Sequence, residues 1–480
     1  KDNKLLIKIN VPDVEVRPPV DVCLTIDVSG SMGEIATLKG DNGETLNYGH
    51  TILSVTICAA KTVLNCLNEN DNISIVTYTD KSDVIVDYWS VTNENKVMIE
   101  KILDELQPLY TTNIWSGLKT SLDLLKAKSP KNRMKGIFLL TDGVPNIEPP
   151  RGHENVLENY YKDNPEFNCM INTYGFGYNL KSELLQNLSH ISGGDGFAFI
   201  PDSSLLGNIF IHGISNFLTT CCLNPQIKIT LNDKSKFMDN KSVKIMNINS
   251  LKYSQEKHLI LDVKNTEDFT CNVELILNDI KITNSEKIND NTIFDEQIVR
   301  IKTCEILKIC LKEMKFNEKD TVKTIIKTYL MYLNELSQTS YIKNVTYDIE
   351  GQVREALNMT NEGEKADWYT RWGRHYLKSL HDAYNNEICN NFKDKGVSNF
   401  GGKLFNSLRD TITEIYDKMP APKQKKVNNI LQKNCSQSTL SVIPTMASYN
   451  TQFSGGCCAK GSLIKMSDGT EKNVENIKKG

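Results

Sequence analysis

Five oxygen-bearing side chains in three separate segments have the types and spacing to bind a divalent cation. Asp27, Ser29 and Ser31 alternate within one short run, so their side chains can reach one point from a single loop. Thr112 opens an amphipathic stretch, and Asp142 directly follows an apolar run. Two carboxylates and three hydroxyls form a hard, all-oxygen donor set, which suits Mg²⁺ or Mn²⁺ better than Zn²⁺. The sequence therefore predicts a metal site in which these five residues meet.

The predicted site needs strands that bring the three segments to one edge of a sheet. Residues 22–26 and 136–140 form short apolar runs that predict buried strands, and amphipathic stretches separate the predicted strands from one another. Apolar strands that alternate with helices are typical of a mostly parallel sheet covered on both faces. In such a doubly wound α/β domain, ligands bind at the carboxyl ends of the strands. Asp27 and Asp142 stand at two of those ends.

This donor set resembles the metal-ion-dependent adhesion site (MIDAS) of von Willebrand factor A (vWA) domains. The resemblance continues through residues 171–177, 193–194 and 200–202, and it departs at Thr111, where many family members carry Gly. It implies a Rossmann-like fold and a binding role rather than catalytic turnover. In the family, a Mg²⁺ or Mn²⁺ ion, held partly through water, leaves one coordination position for a Glu or Asp of a protein partner.

Two other interpretations of the same residues compete with a metal site. Ser29, Ser31 and Asp142 could simply cap helices and turns, which would leave a structural scaffold with an empty site. A nucleotide-binding or phosphatase domain is disfavoured because the sequence has neither Gly-x-Gly-x-x-Gly after a strand nor Gly-x-x-x-x-Gly-Lys-Ser/Thr. A phosphoryl-transfer enzyme of the Asp-x-Asp type would need a carboxylate where Ser29 stands.

A second reactive pattern begins at Gly456-Cys457. The Cys457 thiol could attack the Gly456 carbonyl and convert that peptide bond to a thioester. Residues 463–466 predict a strand and residues 467–470 a hairpin turn. Residues 457–480 resemble the first block of Hint modules, the fold shared by inteins and the hedgehog autoprocessing domain, with Cys458 replacing the usual apolar residue.

The Hint resemblance implies self-cleavage after Gly456, assisted in the family by a His from a later block. That block would lie beyond Gly480, so we interpret the sequence as a fragment that is inert as written. The alternative is that Cys457 and Cys458 are ordinary thiols in a small hairpin.

The periodicity of the chain changes twice, which predicts a multidomain α+β protein. Alternation of apolar and polar residues between 226 and 277 predicts a small antiparallel β-sandwich, and from Phe294 the period becomes helical. The predicted parts are an N-terminal strand joining the sandwich (1–20), a vWA domain with a MIDAS (21–222), a β-sandwich (223–293), an α-helical domain (294–419), a linker (420–456) and the beginning of a Hint module (457–480).

The helical region carries two Trp residues that share one helix face, Trp368 and Trp372, and we interpret them as core. The region resembles the helical segment between A domains and Hint modules in a poorly characterised eukaryotic group. Some members of that group carry ubiquitin-ligase modules, so a ubiquitin-pathway link rests on analogy alone.

Overall composition argues against nucleic-acid binding and against a transmembrane segment. The chain has 480 residues with 56 Lys and Arg against 59 Asp and Glu, a balance that offers no electrostatic footprint for nucleic acid. No apolar run approaches the roughly 20 residues of a transmembrane helix.

Thirteen scattered cysteines without a Cys-x-x-Cys pair suit buried, reduced thiols. We therefore expect a cytoplasmic rather than a secreted protein, although a start at Lys1 leaves an upstream targeting segment open.

The sequence thus predicts metal-dependent protein–protein binding, in a precursor that is processed between Gly456 and Cys457. The alternative is a self-processing acyl donor, whose Gly456 thioester passes to water or to another nucleophile. Outside this autoprocessing, residues 1–456 show no classical enzyme active site.

Overall fold

The computed structural model describes most of the chain, with gaps. The described residues are 3–36, 38–39, 45–46, 50–109, 111–201, 206–232, 235–264, 270–277, 280–283, 290–360, 367–419, 463–465 and 471–473. The predicted linker 420–456, Gly456 and Cys457 lie outside them.

The first domain is built on a six-stranded sheet. The spatial order of the strands is Ser82–Ser90, Asn72–Tyr78, Val20–Asp27, Met134–Thr141, Met170–Phe176 and Phe197–Ile200. All neighbouring strands are parallel except the edge strand Ser82–Ser90, which is antiparallel to Asn72–Tyr78. The predicted α/β fold class is therefore confirmed, with one antiparallel edge strand.

The central strand Val20–Asp27 positions the carboxyl edge of the sheet. All eight of its residues are buried, and it pairs in parallel with a strand on each side. Such near-continuous apolar runs are typical of strands covered on both faces. Asp27, the last residue of this strand, therefore has a fixed position beside the end of the strand Met134–Thr141.

Six helices connect or flank these strands. They are Ile52–Cys66, Asn93–Asp104, Ile114–Lys128, His153–Asp163, Ser182–Ile191 and Leu206–Thr219, and a short 3₁₀ helix spans Gly30–Gly33. Two of them carry little helical signal in the sequence. His153–Asp163 buries only His153 and Leu157, so its apolar stripe is weak, whereas Leu206–Thr219 is buried on almost every side and shows no amphipathic period.

Two small antiparallel sheets enclose a second apolar core. One contains Lys4–Asn10, Glu256–Lys264 and Lys236–Phe237, and the other contains Val243–Asn247, Gln226–Leu231, Cys271–Leu277 and Ile280–Ile282. A short ribbon pairs Thr220–Leu223 with Ser250–Lys252. Ile7 from the first strand packs with Ile227 and Phe237 in this core. The first strand of the chain therefore belongs to the sheets that follow the α/β domain.

The described residues between 290 and 419 are mainly helical. Their helices are Asn291–Lys315, Lys319–Glu335, Ser340–Asp348, Arg354–Ala356, Arg374–Asn386, Lys395–Ser398 and Lys403–Lys418, with π-helical turns at Ile349–Val353 and Tyr369–Gly373. Trp372 is fully buried, in agreement with a core role. Among the described residues, no helix is long and apolar enough to cross a membrane.

Asp382 joins the helical region to the α/β domain. Its buried carboxylate accepts hydrogen bonds from Phe197 N at 3.1 Å, Gln186 Nε2 at 2.8 Å and His190 Nε2 at 3.0 Å. Gly196 has a φ of 117°, and a Cβ at that position would lie 2.6 Å from Asp382 Cβ. Glycine is therefore required for this close approach.

Glu387 makes the corresponding connection to the sandwich. Its carboxylate accepts from His258 N at 3.0 Å and contacts His258 Nδ1 at 2.8 Å. Arg300 donates to the His258 carbonyl at 3.1 Å. Buried charges must be paired, so these contacts fix the helical region against the sandwich as well.

The described residues near the end of the sequence form a hairpin. Leu463–Lys465 pairs in antiparallel register with Glu471–Asn473. The strand predicted at 463–466 is therefore present, and a partner strand follows it.

Candidate metal centre

Asp27 lies beneath the candidate centre and is held in a fixed orientation. One of its carboxylate oxygens accepts from the backbone N–H of Ser29 at 2.9 Å, and the other accepts from the Thr141 hydroxyl at 2.7 Å. Its side chain is fully buried. Both contacts follow from its position at a strand end, because the loop turns back over it and the neighbouring strand ends beside it.

Three of the predicted donors form a continuous chain of contacts above Asp27. The hydroxyls of Ser29 and Ser31 are 3.2 Å apart, and the Ser31 hydroxyl donates to the Asp142 carboxylate at 2.9 Å. Ser29 and Ser31 belong to the first loop, and Asp142 belongs to the third. The structure therefore brings the first and third segments together, as the sequence pattern predicted.

Thr112 lies in the second loop, whose backbone is bonded to both of the others. Leu109 N donates to the Val28 carbonyl at 2.7 Å. On the other side, Thr112 N donates to Asn146 Oδ1 at 3.0 Å, and Asn146 N donates to the Thr112 carbonyl at 2.9 Å. Asn113 then caps the helix Ile114–Lys128 by accepting from Ser116 N. Asn146, which the sequence analysis missed, thus positions Thr112.

A cleft of about 490 Å³ opens at this point, and four of the five predicted residues line it: Ser29, Ser31, Thr112 and Asp142. Glu34, also missed by the sequence analysis, lines the cleft as an additional carboxylate. An acid three residues beyond Ser31 carries no distinctive sequence signal, so only the fold identifies it.

Without a bound cation, the ionised forms of the carboxylates Asp27 and Asp142 are electrostatically unfavourable. Burial and the nearby charge of Asp27 raise the pKa of Asp142 to about 7, although the Ser31 hydrogen bond opposes the shift. Burial also raises the pKa of Asp27.

The donor set fits a hard divalent cation. Two buried like charges favour a bound cation, which would offset both the desolvation and the repulsion. Within the described ranges, no three His, Cys, Asp or Glu side chains cluster as a metal site. The available donors are instead hydroxyls and carboxylates, the oxygen ligands that Mg²⁺ and Mn²⁺ accept.

The family comparison agrees with the fold. Residues 22–144, which contain all five predicted donors, match the family model described as the von Willebrand factor type A domain. The chain contains a vWA domain. A second model, described as VWA / Hh protein intein-like, matches residues 339–414, in the helical region. The two matches together support the predicted resemblance to vWA–Hint-like proteins.

Comparison with solved structures gives one shared fold at low sequence identity. A von Willebrand factor type A protein from Catenulispora acidiphila has a TM-score of 0.55 at 13% identity, covering 74% of this chain and 90% of that one. The ArnB paralog VWA2 from Sulfolobus acidocaldarius has a TM-score of 0.47 at 12% identity, covering 79% and 92%. The first similarity extends beyond the vWA domain, so the shared fold includes parts of the following regions.

A third neighbour is proximal thread matrix protein 1 from the mussel byssus, with a zinc-occupied MIDAS motif. Its TM-score is 0.32 at 18% identity, with 43% of this chain and 47% of that chain covered. No curated protein matches the chain at the sequence level.

Proposed function

We propose that the vWA domain binds Mg²⁺ or Mn²⁺ through Asp27, Ser29, Ser31, Thr112 and Asp142, and uses the ion to hold an acidic side chain of a protein partner. The observation that carries the proposal is the continuous contact from Ser29 through Ser31 to Asp142 at the mouth of an open cleft. The bound ion supplies positive charge that attracts a carboxylate. The protein orients the oxygen ligands around the ion.

The roles of the five residues differ with their burial. Asp27 is fully enclosed and orients the first loop, because it accepts from the Ser29 N–H and the Thr141 hydroxyl. Ser29, Ser31 and Asp142 reach the cleft surface, where a partner can approach. Thr112 contributes the remaining hydroxyl from the second loop. A site open on one side suits recognition of a second molecule.

The test is metal-dependent thermal stabilisation. A ligand that binds only the folded state raises the unfolding midpoint, so Mg²⁺ should raise the midpoint of the unmodified chain. Asp27→Ala should remove that rise. Asp87→Ala is the matched control, because Asp87 pairs with Lys128 at the surface, away from the cleft. An undiminished Mg²⁺ response in Asp27→Ala contradicts the proposal.

We further propose that the chain is processed between Gly456 and Cys457. The support is the sequence pattern, the hairpin formed by Leu463–Lys465 and Glu471–Asn473, and the intein-like family match. In the first step, the Cys457 sulfur bonds to the Gly456 carbonyl carbon, the Gly456–Cys457 C–N bond breaks, and the thiol proton passes to the released amine. Water or another nucleophile then takes the acyl group.

Intact mass spectrometry of the natural gene product tests this step. The expected product ends at Gly456, and Cys457→Ala should abolish it while the matched variant Cys458→Ala retains it. A free carboxylate on Gly456 indicates hydrolysis, whereas an adduct there indicates the acyl-donor alternative. Cleavage that persists in Cys457→Ala contradicts both versions.

A further inference from the structure

Four exposed aliphatic side chains lie on the loops that carry the predicted metal ligands, and we call them the apolar rim. Ile35 is 38% exposed, Leu109 52%, Val144 43% and Ile147 39%. They come from the same three loops as the predicted metal ligands. Large apolar side chains grouped on a surface are typical of interaction sites, whereas isolated ones need no explanation.

The backbone of the rim is bonded directly to the segments that carry the metal ligands. Leu109 N donates to Val28 O at 2.7 Å, and Ile147 N donates to Thr112 O at 3.2 Å. Ile35 and Val144 line the cleft itself, and Val144 is two residues from Asp142. Two members of the rim therefore line the cleft, and the other two are bonded through their backbones to the loops that form it.

The cleft combines acidic charge with apolar walls. Asp142 and Glu34 contribute negative charge, so an acidic partner would be repelled until a divalent cation is bound. Ile52, Val55 and Phe176 contribute apolar walls. A partner carboxylate that reaches the ion must pass these walls and the two rim residues that line the cleft, Ile35 and Val144.

We propose that the apolar rim selects a protein segment in which one Glu or Asp is flanked on both sides by apolar side chains. This inference rests on the proposed metal-dependent function. An acid flanked by polar residues would reach the ion but leave the rim in water, whereas apolar flanks would remove both apolar surfaces from water. The metal then provides attraction, and the rim provides specificity.

Three labelled nine-residue peptides test the proposal by fluorescence anisotropy in Mg²⁺ and in EDTA. The first has a central Glu flanked by Leu, the second has the same Glu flanked by Ser, and the third has Leu flanks around a central Gln. In Mg²⁺ the first should bind at least about tenfold more tightly than either of the others, since burying apolar side chains contributes on this scale. In EDTA that advantage should disappear.

The protein variant is Ile35→Ser combined with Val144→Ser, the two rim residues that line the cleft, and the matched control is Met98→Ser. Met98 is 50% exposed on the helix Asn93–Asp104 and does not line the cleft. The double variant should weaken binding of the first peptide by about tenfold. Its Mn²⁺ affinity and unfolding midpoint should match those of the unmodified chain, and Met98→Ser should change nothing.

The outcomes separate the two proposals. Failure of the unmodified chain to bind Mn²⁺ overturns the proposed function. If the unmodified chain binds Mn²⁺ normally, the proposed function stands and the peptides test the rim alone. The rim proposal is then overturned if the Ser-flanked or the Gln peptide binds as well as the first peptide, or if no peptide binds. It is also overturned if the double variant binds the first peptide like the unmodified chain.

Discussion

The Ser31 hydroxyl donates a 2.9 Å hydrogen bond to Asp142, although the two residues are 111 positions apart in the chain. The contact follows from sheet order, because the strands Val20–Asp27 and Met134–Thr141 are parallel neighbours with Ile26 opposite Leu140. Each strand ends at the same edge, so the loops that follow them meet. The vWA fold thus assembles the candidate site before any ligand arrives.

Without metal, Asp142 should make the stability of the protein depend on pH. Its pKa is about 7 in the folded protein and near 3.8 in an unfolded chain, so its stabilising contribution is complete below about pH 4 and is lost as pH rises through 7. The loss is roughly 2–4 kcal/mol in the free energy of unfolding. Urea unfolding in EDTA at pH 5 and pH 8 measures it.

Asp142→Asn should reduce that pH dependence, since the amide does not titrate and no longer repels Asp27. The control Asp87→Asn changes an exposed carboxylate paired with Lys128 and should retain the slope. Equal slopes for Asp142→Asn and the unmodified protein would show that Asp142 does not titrate in this range.

Metal affinity should also depend on pH, in the opposite sense. A cation must displace the proton of Asp142, so the apparent affinity for Mn²⁺ should fall by about tenfold per pH unit below pH 7. Calorimetric titration of the chain with Mn²⁺ between pH 5.5 and 8 checks this. An affinity that is constant over that range would exclude Asp142 as a titrating ligand.

The residues of the site that the sequence predicted each have a local signal in the chain. Asp27, Ser29 and Ser31 share one run at alternate positions, and Asp142 follows an apolar strand, so the strand-end rule places them together. Asn146 carries no such signal. It is a loop residue whose role arises only from its bonds to Thr112.

The fold shows the same division between local and long-range information. The apolar strands were predictable because runs of consecutive apolar residues indicate buried strands. The antiparallel pairing of Lys4–Asn10 with Glu256–Lys264, and the contact of Asp382 with Phe197, join distant segments. Which distant segments pair in this way depends on tertiary packing, and the periodicity of the sequence does not specify that packing.

Asp382→Ala should destabilise the junction between the helical region and the vWA domain. The change leaves Phe197 N, Gln186 and His190 without their buried acceptor, which costs about 2–4 kcal/mol in the free energy of unfolding. Urea unfolding measures the loss. Asp410→Ala is the control, because Asp410 is an exposed partner of Arg409, and it should change stability by less than about 0.5 kcal/mol.

The same junction should respond to pH through His190. Burial alone would lower its pKa, but the hydrogen bond and the charge of Asp382 outweigh burial and raise it. The stabilisation is therefore complete below the unfolded pKa and is lost as pH rises through the folded pKa. In Asp382→Asn, NMR titration should show a lower pKa for His190; an unchanged value would mean that Asp382 does not control it.

Two glycines of the vWA domain should respond differently to alanine. A Cβ at Gly136 would lie 2.3 Å from the buried Phe217 ring, whereas a Cβ at Gly143 has its nearest neighbour, Ser31 Oγ, at 3.9 Å. Gly136→Ala should therefore cost about 1–3 kcal/mol by overpacking, and Gly143→Ala should be nearly neutral. Thermal unfolding of both variants checks the difference. Equal midpoints would contradict the packing described for Phe217.

An anomalous difference map from crystals grown with Mn²⁺, collected at the manganese absorption edge, tests the central claim most directly. The account predicts one peak at the cleft mouth, in direct or water-bridged contact with Asp27, Ser29, Ser31, Thr112 and Asp142. A map without a peak there, or with manganese bound only by other residues, would contradict it.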